Sequence, residues 1–531
     1  MAAMTGKRPT ISSMHGMVAA AHPHAASAGA QMLARGGNAF DAVVATAAAL
    51  NVVEPYMSSL AGMGLATCWI AKEQKVRALD FVPKIPAKFP VETFSKREQL
   101  LRGPAAVGVP GNLAGWMELQ KSYGKLTLAD AFAPAIRLAR DGFPATEFNI
   151  VESNGTEPEI KRFPALYGPW AKNYTDGSGI LKLNWILKQP ALAATLEEIA
   201  AKGPESFYKK LVAHLAATGG SVSMADIAAF KPTWKEPATA LYRGRTVHVP
   251  PPPCEGFQFL LALRILDGFD VKAMERNGVQ HLDTVWRAIR LSAGERIAHN
   301  DPTPAKLAEI MSDANVERLR ARVRDGKPIT GPTEQWMAPG PETGGEHHTT
   351  SFSIADREGN LLCVTQSIGS PYGSAVIVPE TGVTLNNFLY WADVQPGSPN
   401  RSKPGGSLPM CVSPSISTES GNPVLALGTP GSYGIKQTQT QAMVQVVDFG
   451  LGLQDAIESP RARLWDGRKV YAESRIPAAT LDALRKLGHD VEAGDAWTMK
   501  VGGMHGVVVD QATGARIGGC DPRRDGYVVP V

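Results

Sequence analysis

The sequence predicts an α+β fold in which strand-rich ends enclose a helical middle. Three patterns carry that reading: a pair of successive helices near the N-terminus, a mainly helical stretch from Leu126 to Leu319, and apolar alternation that starts abruptly after Thr349.

Each element has its own signal. Ala25 to Arg35 reads as a helix stopped by Gly36-Gly37, and Asn38 with Asp41 three residues on caps a second helix that runs to Val53, before Pro55. From Ala42 to Leu50 that helix is apolar nearly all round, so it belongs in the interior. Leu65 to Ile70 and Arg77 to Phe81 form the first strand pair, and Pro250-Pro251-Pro252-Pro253 is a rigid break in the middle third. Gly331 to His348 is rich in Gly, Pro and Glu and reads as a mobile connection. Beyond it, Phe352 and Ile354 alternate with Ser351, Ser353 and Ala355, Glu358-Gly359-Asn360 makes a turn, and Leu361 to Thr365 returns as the second arm of a hairpin. Helices follow near Gln437 to Val447 and Ala478 to Leu487.

Composition narrows the function classes. The 531 residues are 44% hydrophobic with a net charge of +4, enough to bury a large core and too little charge to suggest nucleic acid as a partner. No apolar run is long enough to span a bilayer. Met1 to Met17 carries Lys7 and Arg8 without a following apolar stretch, so a signal peptide is not expected. Five scattered cysteines, Cys68, Cys254, Cys363, Cys411 and Cys520, lack metal spacing and favour a reducing cytoplasm.

Thr349 sits where the flexible tether meets the hairpin. A hydroxyl there suits one chemistry: it attacks the carbonyl of His348, the His348–Thr349 bond breaks, and the freed α-amine becomes the base for its own hydroxyl. Such an amine has a reference pKa of about 7.7 to 8.0, so no histidine is needed. Taken by itself, the segment reads first as an ordinary strand start, because Thr is common in strands.

The rest of the chain resembles the gamma-glutamyltransferase family of N-terminal nucleophile (Ntn) hydrolases. The resemblance rests on Leu33 to Ala42, Val109 to Trp116 and Ala133 to Phe143 in the first part. It continues through Thr349-Thr350-Ser351-Phe352-Ser353, Gly382, Asn386 and Asn387, Gly428-Thr429-Pro430-Gly431-Ser432 and Asp521 to Gly526. It implies one four-layer αββα sandwich of two stacked antiparallel sheets flanked by helices, not two independent domains. Cleavage would leave residues 1–348 as a large subunit interlocked with residues 349–531 as a small one, with room for a dimer of such heterodimers. The implied partner is a small-molecule amide, and no cofactor is implied.

Residue by residue, the resemblance makes Thr349 nucleophile and base, with Ser367 as a hydroxyl that orients it. Gly431 and Ser432 stand where the family uses consecutive backbone N–H groups as an oxyanion hole, each worth roughly 3 to 4 kcal/mol in sites of this kind. In isolation, Gly428 to Ser432 is a plain tight turn.

The acyl pocket departs from the gamma-glutamyl pattern. The arginine expected after Asp80-Phe81 is absent, and Val82-Pro83 follows instead. Met410 and Cys411 take the places of two small hydroxyl residues ahead of Ser413-Pro414, and Gly369, Phe388 and Trp391 stand where the amine readers would be. A zwitterionic head group in such a pocket would lose hydration worth on the order of several kcal/mol. A flatter or more apolar acyl group is therefore expected, with any anionic end met by Lys84 or Arg401. Alternatively, these aromatics are core and another loop supplies polar contacts. The short loop from Trp391 to Met410 replaces the family's longer lid, so hydrolysis is favoured over transfer, as in cephalosporin acylases and oxamate-type amidohydrolases.

Other chemistries fit poorly. His347-His348 lacks helical spacing for zinc, Pro430 spoils a Gly-x-Ser-x-Gly elbow around Ser432, and Cys363 and Cys411 read as buried small hydrophobes. Two further readings stay open: a true gamma-glutamyltransferase or glutathione hydrolase, and a silent binding protein that never cleaves itself.

Overall fold

The computed structural model describes residues 8–331, 348–398 and 401–531. Two seven-stranded sheets face each other. The first has the order Tyr527–Pro530, Met17–Ala20, Thr350–Ala355, Leu361–Ser367, Met63–Ile70, Lys75–Phe81, Thr233–Lys235. The second has the order Ile11–Ser13, Arg516–Cys520, His505–Val509, Asn422–Gly428, Ser415–Glu419, Arg245–Val249, Ala238–Tyr242. Met17, Ala19, Cys363, Ile416, Ala426 and Val507 fill the space between them. Helices α1 (Pro23–Ala34) and α2 (Ala39–Val53) share a core with the first sheet, and Phe257–Leu266, Val279–Ala298 and Ile435–Val447 share one with the second. The architecture is therefore the four-layer αββα sandwich.

The local signals act as expected where one residue dictates the geometry. The Asn38 side chain accepts from the N–H groups of Phe40 and Asp41, while Asp41 accepts from Asn38, closing a capping box on α2. Every residue of α2 is buried, as its all-round apolar sequence requires. The hairpin after Thr349 pairs Thr350 with Gln366 through Ala355 with Leu361. Its turn is tied to the helix layer, because Asp356 Oδ2 accepts from Ala39 N–H at 2.8 Å and from Asn360 Nδ2 at 2.7 Å.

Two differences have clear causes. The strand expected to start at Leu65 begins at Met63 and is not the first, since Ile11–Ser13 and Met17–Ala20 precede it; all eight of its residues are buried, so no alternation marks its start. The middle third is not only helical: Thr233–Lys235 forms an edge of the first sheet, and the hairpin Ala238–Tyr242 with Arg245–Val249 completes the second. These short strands are stabilised by pairing with distant partners, which local propensity does not report. The expected mobile connection falls largely on residues 332–347, outside those described, as do residues 1–7 and 399–400 of the N-terminal and loop readings.

Asp41 holds four donors in the interior: the N–H groups of Asn38, Lys125 and Leu126 and the Gln120 amide, all between 2.8 and 3.0 Å. Asp41→Ala is expected to cost about 4 kcal/mol and lower the melting temperature by roughly 5 °C, with Asp41→Asn in between, as read by thermal unfolding.

Candidate active site

Thr349 lies at the head of the Thr350–Ala355 strand and is 3% exposed. Its φ is 152°, a conformation that crowds an L side chain and persists only when its surroundings hold it. Three contacts do so. The Thr349 N–H donates to Met57 Sδ at 3.4 Å, its carbonyl accepts from Arg524 Nη1 at 3.2 Å, and its hydroxyl donates to Ser367 Oγ at 3.3 Å. Ser367 Oγ also accepts from Gly369 N–H at 3.1 Å, so the orienting hydroxyl is itself held.

On the other side of the bond, His348 is buried, with Nδ1 3.5 Å from Glu152 Oε2. Burial holds its imidazole below the usual histidine range against the pull of Glu152, so it is neutral at pH 7. Glu54, at the C-terminal end of α2, is fully buried, and burial pushes its carboxyl up to about 7 despite the Thr350 hydroxyl and the Arg524 guanidinium.

Gly428 lies against Ser351, where an added Cβ would come within 2.2 Å of the Ser351 hydroxyl. This close approach carries the chain from the second sheet into the Thr429–Ser432 turn. Gly431 has φ 133° and Ser432 φ 51°, and the Gly431 carbonyl accepts from Arg463 Nη1 at 2.7 Å. Among the described residues, the N–H groups of Gly431 and Ser432 have no acceptor. Thr429 Oγ1 accepts from Gly503 N–H at 3.2 Å, and Gly503 packs against Arg524, the residue that grips the Thr349 carbonyl. Two preorganised donors and a held hydroxyl are what an acyl transfer needs.

The pocket residues divide. Gly369 lies against Asn387 and Trp391, and a Cβ there would come within 2.0 Å of Asn387 Oδ1. The Cys411 thiol is 3.9 Å from the Ser432 hydroxyl. Phe388 and Met410 are 1% exposed and belong to a buried apolar cluster with Val82, Val412 and Ile435. Lys84 reaches Ser407 at 2.5 Å, and Arg401 pairs with the exposed Glu92 at 2.9 Å. Asp80 pairs with Lys235 at 2.7 Å.

The sequence reading did not single out Met57, Glu54, Glu152 or Arg524. Arg524 belongs to a motif already quoted, and a buried arginine in such a motif was the available signal. The other three are brought to Thr349 only by tertiary contact. All five cysteines are free and buried, and burial pushes the thiols of Cys363 (to about 11) and Cys411 upward, away from nucleophilic use. Ser367→Ala removes the bond that orients the Thr349 hydroxyl; kcat is expected to fall about tenfold with KM nearly unchanged, as measured by steady-state kinetics.

Comparison with known proteins agrees with this geometry. The family profile described as Gamma-glutamyltranspeptidase matches residues 25–531. The "Acylase ACY 1 proenzyme" of Pseudomonas sp. (strain SE83) is 32% identical over 515 residues, covering 92% of this chain and 90% of that protein. The "Glutathione hydrolase proenzyme" of Bacillus subtilis (strain 168) is 29% identical, covering 97% and 91%. The crystal structure of cephalosporin acylase from Bacillus halodurans superimposes with a TM-score of 0.90 at 28% identity, covering all of this chain and 98% of that one. This chain belongs to the gamma-glutamyltranspeptidase family.

Proposed function

We propose that Thr349 is the nucleophile of an autoprocessed amidohydrolase and that its preferred acyl group is not gamma-glutamyl. The family is one of Ntn amidohydrolases, and the proenzyme relatives imply two subunits from one precursor. The observation that carries the reading is the junction itself: a strained φ of 152° at Thr349 with the hydroxyl held on Ser367.

In the first step, the Thr349 hydroxyl oxygen adds to the His348 carbonyl carbon, the amide C–N bond breaks, and the nitrogen takes up the proton. Water then hydrolyses the ester, which leaves fragments 1–348 and 349–531. The pairing of Thr350–Ala355 with Met17–Ala20, and of Leu361–Ser367 with Met63–Ile70, supports their staying together. In turnover, the α-amine takes the hydroxyl proton as oxygen attacks the substrate carbonyl, and the N–H groups of Gly431 and Ser432 receive the oxyanion. The leaving amine takes the proton back, and water releases the acid.

A non-glutamyl acyl group is supported by the apolar cluster of Val82, Phe388 and Met410, which offers a zwitterionic head group no charged partner, and by the acylase relatives. The glutathione hydrolase relatives favour the second reading, a true gamma-glutamyl enzyme. The proposal extends to a cytoplasmic location, supported by five free cysteines, and to pairing of heterodimers, supported by the exposed apolar group Val151, Ile180, Leu183, Trp185 and Ile186.

Two experiments test it. Denaturing electrophoresis with N-terminal sequencing is expected to give two bands, the smaller beginning Thr-Thr-Ser-Phe, and Thr349→Ala a single uncut band; a single uncut wild-type band would instead support the silent reading. Turnover of simple acyl amides is expected to exceed that of gamma-glutamyl-p-nitroanilide by about a hundredfold or more in kcat/KM, and robust glutamyl turnover would overturn the acyl assignment.

A further inference from the structure

Cleavage creates an amine where none existed. In the uncut chain, the Thr349 nitrogen is an uncharged amide whose N–H faces the thioether of Met57, a weak acceptor. After cleavage the same nitrogen carries two or three protons and, during turnover, a positive charge at a position 3% exposed. A buried cation needs an anion beside it.

Three carboxyl groups share this region. Asp525 is engaged by the Thr146 hydroxyl at 2.5 Å, and Glu152 faces His348. Glu54 remains: it is fully buried, with the Thr350 hydroxyl beside it but no hydrogen bond of good geometry to either of its oxygens among the described residues. Its surroundings are the Thr350 hydroxyl, Arg524, Tyr56, Glu152 and Asp525. Arg524 grips the Thr349 carbonyl and Met57 receives the Thr349 N–H, and the Met57 N–H donates to the Glu54 carbonyl at 2.8 Å. Glu54 and Thr349 thus share Met57, Thr350 and Arg524 as neighbours. A carboxyl left without partners in the interior is costly unless another state of the protein uses it.

We propose that Glu54 is a positioning residue for the nucleophile, its carboxylate supplying the counter-charge that holds the Thr349 α-amine once the His348–Thr349 bond is cut. The inference rests on the proposed role of Thr349. With Glu54 opposite, the ammonium formed as the hydroxyl attacks is stabilised, and the proton stays within the network until the leaving amine takes it. Without the carboxylate, the amine becomes a weaker base. The acid limb of kcat/KM, which reports loss of the neutral amine, then moves to lower pH.

Mass spectrometry first establishes whether a fragment starting at Thr349 exists; its absence from active wild-type enzyme sinks the reading of Thr349 and not the Glu54 argument alone. In cleaved Glu54→Gln enzyme, the acid limb is expected to fall by about half a pH unit or more, and kcat about tenfold with KM within about twofold, while Glu54→Asp restores part of both. A purely structural role lowers the melting temperature and leaves the limb in place. An unmoved limb in either cleaved variant overturns the proposal. Should neither variant cleave, the pH dependence of cyanate labelling of the wild-type amine decides. An amine titrating at or above the ordinary range of about 7.7 to 8.0 despite burial supports a carboxylate neighbour, and one titrating well below it overturns the proposal.

Discussion

The structure depends on the strand Thr350–Ala355 being paired on both sides, with Met17–Ala20 on one edge and Leu361–Ser367 on the other. A central strand has no freedom to shift, because a slip of one residue would exchange its two buried faces. The residue at its head therefore inherits a fixed position. Asp356, at the other end of the strand, caps the N-terminus of α2, so the strand is anchored to the helix layer as well. The end of the same helix supplies Glu54, and the turn that follows it supplies Met57. One helix thus ties the far end of the hairpin to the reactive junction.

The chemistry of the site follows from how charge is distributed around that rigid frame. A buried charge cluster lies beside the segments that carry Cys411 and Ser432. Lys436 Nζ lies 3.0 Å from Glu255 and 3.2 Å from the Cys411 carbonyl, and Arg296 lies 3.5 Å from Glu255, all fully buried. Replacing such a cluster by apolar side chains often costs little stability, so its value here is positional: it fixes the segments that carry Cys411 and Ser432. The Asp80 that precedes the missing arginine is turned to Lys235.

The helices and the hairpin were legible because α2 is apolar on every face, because the Asn38–Asp41 cap has a local signature, and because the chain after Thr349 alternates cleanly, whereas the αββα arrangement of these elements was implied by the resemblance to the family. Thr349, Ser367 and the Gly431–Ser432 turn were legible as motif positions, and the structure brings Thr349 and Ser367 within 3.3 Å. The edge strands of the middle third were not legible, since three to five residues of ordinary composition become strands only when a distant sheet accepts them. The same holds for the burial of Phe388 and Met410 in an apolar cluster, apart from the positions around Gly369 and Cys411.

By itself, then, the sequence determined the fold class, the place where strand order begins and the residue types available for acyl transfer, because periodicity, caps and turns act over a few residues. Tertiary structure alone decided that Thr349 is held at φ 152° between Met57, Ser367 and Arg524, and that Glu54 and Glu152 lie beside its chain neighbours Thr350 and His348. Ser367 is 18 residues on, but the others come from positions about 175 to 295 residues away along the chain. Desolvation and backbone strain at one atom are sums over whatever packing places around it, and no local pattern encodes that sum.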